Sequence, residues 1–178
     1  MKSRKGEIEM NALEIVRLNL EMNQMHVAFF EDMRDAAMTQ PTSSGGNHPL
    51  WVLGHLALVD ASFRSMITGE ANSLQHWSSL FGAGTTPSSD PSTYPAFDDV
   101  MAEYHRQRAQ LIALLDDVDE SFLEQPLKLP PDGMSEEMIQ QFFPNVAKTL
   151  LLVANHHAFH CGQVADARRA AGRAPMFM

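Results

Sequence analysis

Apolar positions recur along the chain at the spacing of a helix. Between residues 9 and 38, Leu13, Val16, Leu20, Val27 and Phe30 follow one another at intervals of three, four and seven, with no Pro or Gly between them. That rhythm predicts one long amphipathic helix. The stretch "QPTSSGGNHP" ends it with two prolines and two glycines. A second helix is predicted from Pro49, a residue well suited to a first turn, to Gly69, a C-terminal cap. Residues 70 to 94 are rich in Gly, Pro, Ser and Thr, and their apolar island "LQHWSSLF" predicts one or two helical turns. A third helix is predicted from Pro95 to Asp117, with Phe97, Val100, Met101, Tyr104, Leu111 and Leu115 on one face. Residues 118 to 143, which hold "QPLKLPPDG", read as irregular, and a fourth helix runs from Pro144 to Gly172. No strand-like alternation and no internal repeat interrupts this pattern.

Four amphipathic helices in 178 residues predict an all-α four-helix bundle in a single domain, with the bundle core at about residues 9 to 172. The connections between helices 2 and 3 and between helices 3 and 4 are each roughly 25 residues, longer than an ordinary helix–helix loop. A connection of that length can cross the bundle to join parallel neighbours, or supply a lid.

Composition narrows the partners. The formal charge is -9, from 22 acidic and 13 basic residues, which works against nucleic acid or an anionic membrane surface. No apolar run is read as reaching the ~18 residues of a membrane span. The basic start "MKSRKGEIEM" is followed by no apolar segment, so no signal peptide is read there. The single cysteine, Cys161, allows no internal disulfide and fits a reducing compartment. A cytoplasmic protein acting on a small molecule is the expectation.

Chemistry concentrates in "LLLVANHHAFHCGQVADARR", residues 150 to 169. His156 and His160 are four apart and share a helix face, on a stripe with Thr149, Leu152, Val153, Gln163, Val164 and Ala167. His157 lies about 100° away and is read as a bystander. Buried imidazoles must satisfy both ring nitrogens, and two stacked at this spacing do so by sharing a metal ion. A third ligand is available in His55, on the predicted second helix among Trp51, Val52, Leu58, Val59 and Ser62. Three imidazoles leave an open position for water or substrate, as catalytic sites require, and they suit Zn, Ni, Fe or Cu alike. The same residues are also compatible with histidines satisfied separately in a core. His26, His76 and His105 have no partner at ligand spacing and are assigned to surface or loops. Cys161 is read as a small packing residue, and the twelve methionines as core filler. Glu-x-x-His pairs, H-E-x-x-H, the phosphate-binding G-x-x-x-x-G-K-[ST] and G-x-S-x-G are all absent, which sets aside di-iron, zincin, nucleotide-binding and α/β-hydrolase chemistry.

The pairing of "WVLGHL" with "HHAFHCGQVADARRAAGRAP" resembles the DinB/YfiT-like family of metalloenzymes, the DinB superfamily. The family pattern, a His early in helix 2 and H-x-x-x-H followed by G-Q in helix 4, falls on His55, His156, His160, Gly162 and Gln163. Cys161 departs from it, standing where many members carry Arg. The resemblance spans most of the chain from residue 9. It implies a bundle that holds one divalent ion, Zn or Ni ahead of Fe or Mn, through the three histidines, and a homodimer. It also implies a metal-dependent hydrolase or a thiol S-transferase using a low-molecular-weight thiol, with a non-catalytic metal or small-ligand binding role in stress response as the alternative. Gln163 and Tyr104 are expected to orient the ligands or the reacting group from behind. Arg64, Arg106 and Arg108 are the nearest candidates to receive the carboxylates of such a thiol.

Overall fold

A computed structural model of the protein describes residues 10–131 and 133–176. The basic start of the chain, with the signal-peptide reading made on it, and Glu9 of the first predicted helix lie outside the described residues. Among the described residues there are helices and no strands, as the apolar rhythm predicts.

The first predicted helix is composite. Helix α1 (Ala12–Met22) opens on a capping box, in which Asn11 Oδ1 accepts from the Glu14 amide and the Glu14 carboxylate accepts from the Asn11 amide. A 3-10 turn, Asn23–His26, then interrupts it before α2 (Val27–Asp32). The apolar spacing gives no sign of this break. Its physical cause is Asn23, a buried residue whose side-chain amide donates to the Ala154 carbonyl across the bundle at 2.9 Å.

The second helix, α3 (Pro49–Thr68), occupies the predicted span. Pro49 sits in its first turn and Gly69 caps its end at φ 76, a left-handed conformation that glycine adopts without strain. Its N-cap is His48, whose Nδ1 accepts from the Trp51 amide while Nε2 donates to the Ser88 carbonyl. The island "LQHWSSLF" forms a 3-10 turn and the short α4 (Ser78–Phe81). The third helix, α5 (Phe97–Ile112), is followed by a 3-10 turn to Leu115. The stretch read as irregular contains α6 (Ser121–Glu124) and α7 (Glu136–Phe142). The last helix, α8 (Val146–Ala170), is capped by Asn145, which accepts from the Lys148 amide.

Two apolar clusters show how these helices run. One joins the start of α3 (Leu50 to Ala61), the start of α5 (Val100, Met101, Tyr104), the far half of α8 (Cys161, Val164) and Phe29 and Phe30 of α2. The other joins Ile67, Leu111, Val146, Leu150 and Val153 with Val16 and Leu20 of α1. So α3 and α5 run parallel from the first cluster to the second, and the composite first helix and α8 run the opposite way. The long connection after α3 therefore returns the chain to the same end before α5 begins, one of the two uses that its length allowed. Buried Asp60 of α3 and Arg108 of α5 pair across this parallel contact, at 2.8 and 3.0 Å.

One apolar run does reach the length of a membrane span, against the expectation from the sequence: Pro49–Thr68 is long and apolar enough to cross a membrane. It is mostly buried within the bundle, as the core helix of a folded domain is.

Candidate metal centre

The second turn of α3 and the middle of α8 meet at three imidazoles. His55 Nε2 lies 3.4 Å from His156 Nε2, which lies 3.2 Å from His160 Nε2. His55 and His160 are buried, and His156 is half-buried. The stripe on α8 is not the centre of the buried face, however. The most deeply buried line on α8 runs through Leu150, Val153, Ala154, His157, Cys161 and Val164, and the His156–His160 line stands at its edge. That displacement gives the site a side near solvent.

Two of the three rings are held from behind, each by a different device. His55 Nδ1 donates to the Phe81 carbonyl at 2.7 Å, and the Trp51 indole stacks on the ring with centroids 4.6 Å apart and an interplanar angle of 11°. His160 Nδ1 donates to Gln163 Oε1 at 2.9 Å, and Gln163 in turn accepts from Asn47. Gln163 thus lies beside one of the three rings, between His160 and Asn47. His156 Nδ1 is buried without a hydrogen-bond partner.

These outer bonds decide which nitrogen carries each proton. With Nδ1 of His55 and of His160 donating, both Nε2 atoms present lone pairs toward one another. His156 Nε2 can donate to only one of them, and doing so leaves its own buried Nδ1 without a donor. No arrangement of protons on neutral rings satisfies the cluster, and a positive ring is disfavoured as well. Burial pulls His55 and His156 down to about 4, with the neighbouring imidazoles adding to the effect. Burial also lowers His160, against the opposing Gln163 bond. A cation at the centre would satisfy all three nitrogens. Imidazoles bound at about 2.0–2.1 Å to a tetrahedral ion stand roughly 3.3 Å apart, which the two observed separations match.

The remaining assignments divide. Tyr104 does not touch the three rings: its hydroxyl bonds His157 Nε2 at 2.6 Å. His157 is fully buried between Tyr104 and Cys161, so it is turned away from the three-histidine site as expected, yet it does not face water. Cys161 is a buried packing neighbour, as read. His76 and His105 are exposed. His26, expected on the surface or in a loop, is instead half-buried beside His157 and Cys161, brought there by the 3-10 turn. The three arginines offered to a thiol are all engaged: Arg64 with Glu70, Arg106 with Glu103 and Arg108 with Asp60. The Phe81 carbonyl was beyond sequence reasoning, since a backbone acceptor leaves no residue signature. Trp51 was legible as a neighbour of His55 on the helix face, although its stacking was not.

A family model of the DinB superfamily matches residues 10–164, a span that includes the three histidines and Gln163. No curated protein matches the chain. Among solved structures the chain is similar to YfiT from Bacillus subtilis, described as a probable metal-dependent hydrolase with an unusual four-helix bundle topology. The TM-score is 0.58 at 16% identity, over 96% of this chain and 94% of that one. At that identity the likeness establishes the fold, and the family match spans most of the sequence. The chain therefore belongs to the DinB superfamily.

Proposed function

We propose that this protein is a divalent-metal-dependent enzyme of the hydrolase type, with His55, His156 and His160 as its ligands. The observation that carries the reading is the convergence of three Nε2 atoms whose outer hydrogen bonds leave lone pairs without a donor. When bound, a divalent ion supplies the Lewis acidity that makes a nucleophile from water at neutral pH. His55 and His160 keep their protons at Nδ1 through Phe81 and Gln163, which holds both rings as ligands rather than as acids. Trp51 covers the face of His55 and excludes water from that side. His156 is half-buried, so the site has a side near solvent. Beside His160, a cleft of about 400 Å³ is lined in part by Asn47, Phe159, Gln163 and Arg169.

Transfer to a low-molecular-weight thiol lacks a free arginine among the three candidates for its carboxylates, since each is paired with an acidic residue. Association of two copies is supported by an exposed apolar stripe on the first helix, Ile15, Leu18, Met22 and Met25, at intervals of three, four and three.

The test is a hydrolysis screen over esters, amides and phosphoesters. It uses the chain stripped of metal and reloaded with Zn, Ni, Mn or Fe, with parallel reactions offering low-molecular-weight thiols. The proposal expects turnover that requires reloading and is lost in His156→Ala. Turnover only with a thiol would make it a transferase. A loaded protein inert toward every substrate would favour the binding role.

A further inference from the structure

A second set of donors lies on the deeply buried side of α8, outside the three-histidine site. A ring nitrogen from each of His26 and His157 and the Cys161 thiol all lie within 4.8 Å of one another. His157 and Cys161 are one turn apart on α8. His26 comes from the 3-10 turn that interrupts the first helix, and the Asn23 bond to Ala154 holds that turn against α8. Cys161 Sγ is 3.5 Å from His157 Nδ1. Metal–sulfur and metal–nitrogen bonds of about 2.3 and 2.0 Å place such donors roughly 3.6–3.8 Å apart. The far nitrogen of His157 has the outer partner that a ligating imidazole needs, the Tyr104 hydroxyl at 2.6 Å.

We propose that His26, His157 and Cys161 form a second site, specific for a soft monovalent cation of the Cu(I) type. Softness follows from the thiol, which selects Cu(I) over hard cations. The single charge follows from burial. His157 and Cys161 are almost wholly enclosed, and the buried carboxylate of Asp60 is already balanced by Arg108. A monovalent cation with one thiolate adds no net charge to this interior. A divalent one would leave a positive charge with no anion to offset it. On binding, the Cys161 S–H bond breaks, a sulfur–metal bond forms and one proton leaves to solvent, with no change of oxidation state. His157 binds through Nδ1 and keeps its proton on Nε2, donating to Tyr104.

The test keeps this site apart from the three-histidine site by using the His156→Ala chain. That chain is titrated without oxygen against Cu(I) held by the chelator bicinchoninate, and the ultraviolet thiolate-to-copper band is followed. The expected result is withdrawal of one Cu(I) per chain with appearance of the band. Cys161→Ser should abolish the band, and Cys161→Ser and His26→Ala should each weaken binding by more than about tenfold. His26 is half-buried, so its replacement leaves a folded protein to measure should the cysteine variant fail to fold. Failure to withdraw Cu(I), or withdrawal unchanged by His26→Ala, overturns the proposal. Neither outcome bears on the zinc content of the unmutated three-histidine site.

Discussion

Gly54→Ala tests how tightly the backbone around His55 is set. A Cβ at position 54 would stand 2.3 Å from Phe81 Cε1 and 2.4 Å from Cδ1. Ordinary carbon contacts are about 3.5–4.0 Å, so the ring must retreat by more than an ångström. Phe81 is fully buried and packed between Trp77 and Tyr94, so the displacement passes to α4 itself. The Phe81 carbonyl moves with it, and its 2.7 Å bond to His55 Nδ1 is stretched or lost. On stability, overpacking costs about 1–3 kcal/mol. Replacing a helical glycine returns about 1 kcal/mol, so the net loss is modest. On metal, losing the outer partner of a ligating imidazole costs about 10–100-fold in affinity. The two effects are separable by urea unfolding of the metal-free chain and by zinc competition against a chromophoric chelator. Gly54→Ala combined with Phe81→Leu should recover part of the lost affinity by giving the Cβ room. Zinc affinity within about twofold of the unaltered chain, with unfolding also unchanged, would refute the reasoning.

Gln163→Ala removes the acceptor of His160 Nδ1, which should lower zinc affinity about 10–100-fold at little cost in stability; equal affinity in the competition assay would deny Gln163 its orienting role. The metal-free chain should lose stability on acidification. His55 and His156 sit at about 4 against an ordinary 6.5, so the stability that they contribute is whole above pH 6.5 and is lost as pH falls toward 4. Both rings keep some solvent contact, which limits the total to a few kcal/mol. Urea unfolding across that window checks it, and a His156→Ala chain should show a shallower decline. Ile15→Glu with Met22→Glu places charge on the exposed stripe and should convert a dimer to a monomer by light scattering; a dimer that survives would move the interface elsewhere.

What was legible in the sequence followed from periodicity. Pro49 and Gly69 mark the ends of α3 because their backbone chemistry is local, and the His156–His160 pair shares a face because helix geometry requires it. The break at Asn23 was hidden because its cause is a hydrogen bond to Ala154, 131 residues away in the chain. His48 as an N-cap was equally hidden, since histidine is an unusual residue there and its role depends on Ser88 from a distant loop. The reading of His157 as a bystander captured its direction and missed its surroundings. A helix can be buried over a wide arc, and the most buried line on α8 passes through His157 rather than through the pair beside it. Tyr104 shares a helix face with the core of α5, but only the folded chain shows that its hydroxyl reaches His157 of α8.

The most direct measurement is zinc per chain by elemental analysis, on protein loaded with zinc and then freed of excess. The unaltered chain and His105→Ala, an exposed histidine that belongs to neither donor cluster, should each hold one zinc. His55→Ala, His156→Ala and His160→Ala should each fall well below that while remaining helical by circular dichroism, because two imidazoles hold the ion far more weakly than three. Full zinc retention in any one of those three variants would contradict the assignment of these residues as the metal site.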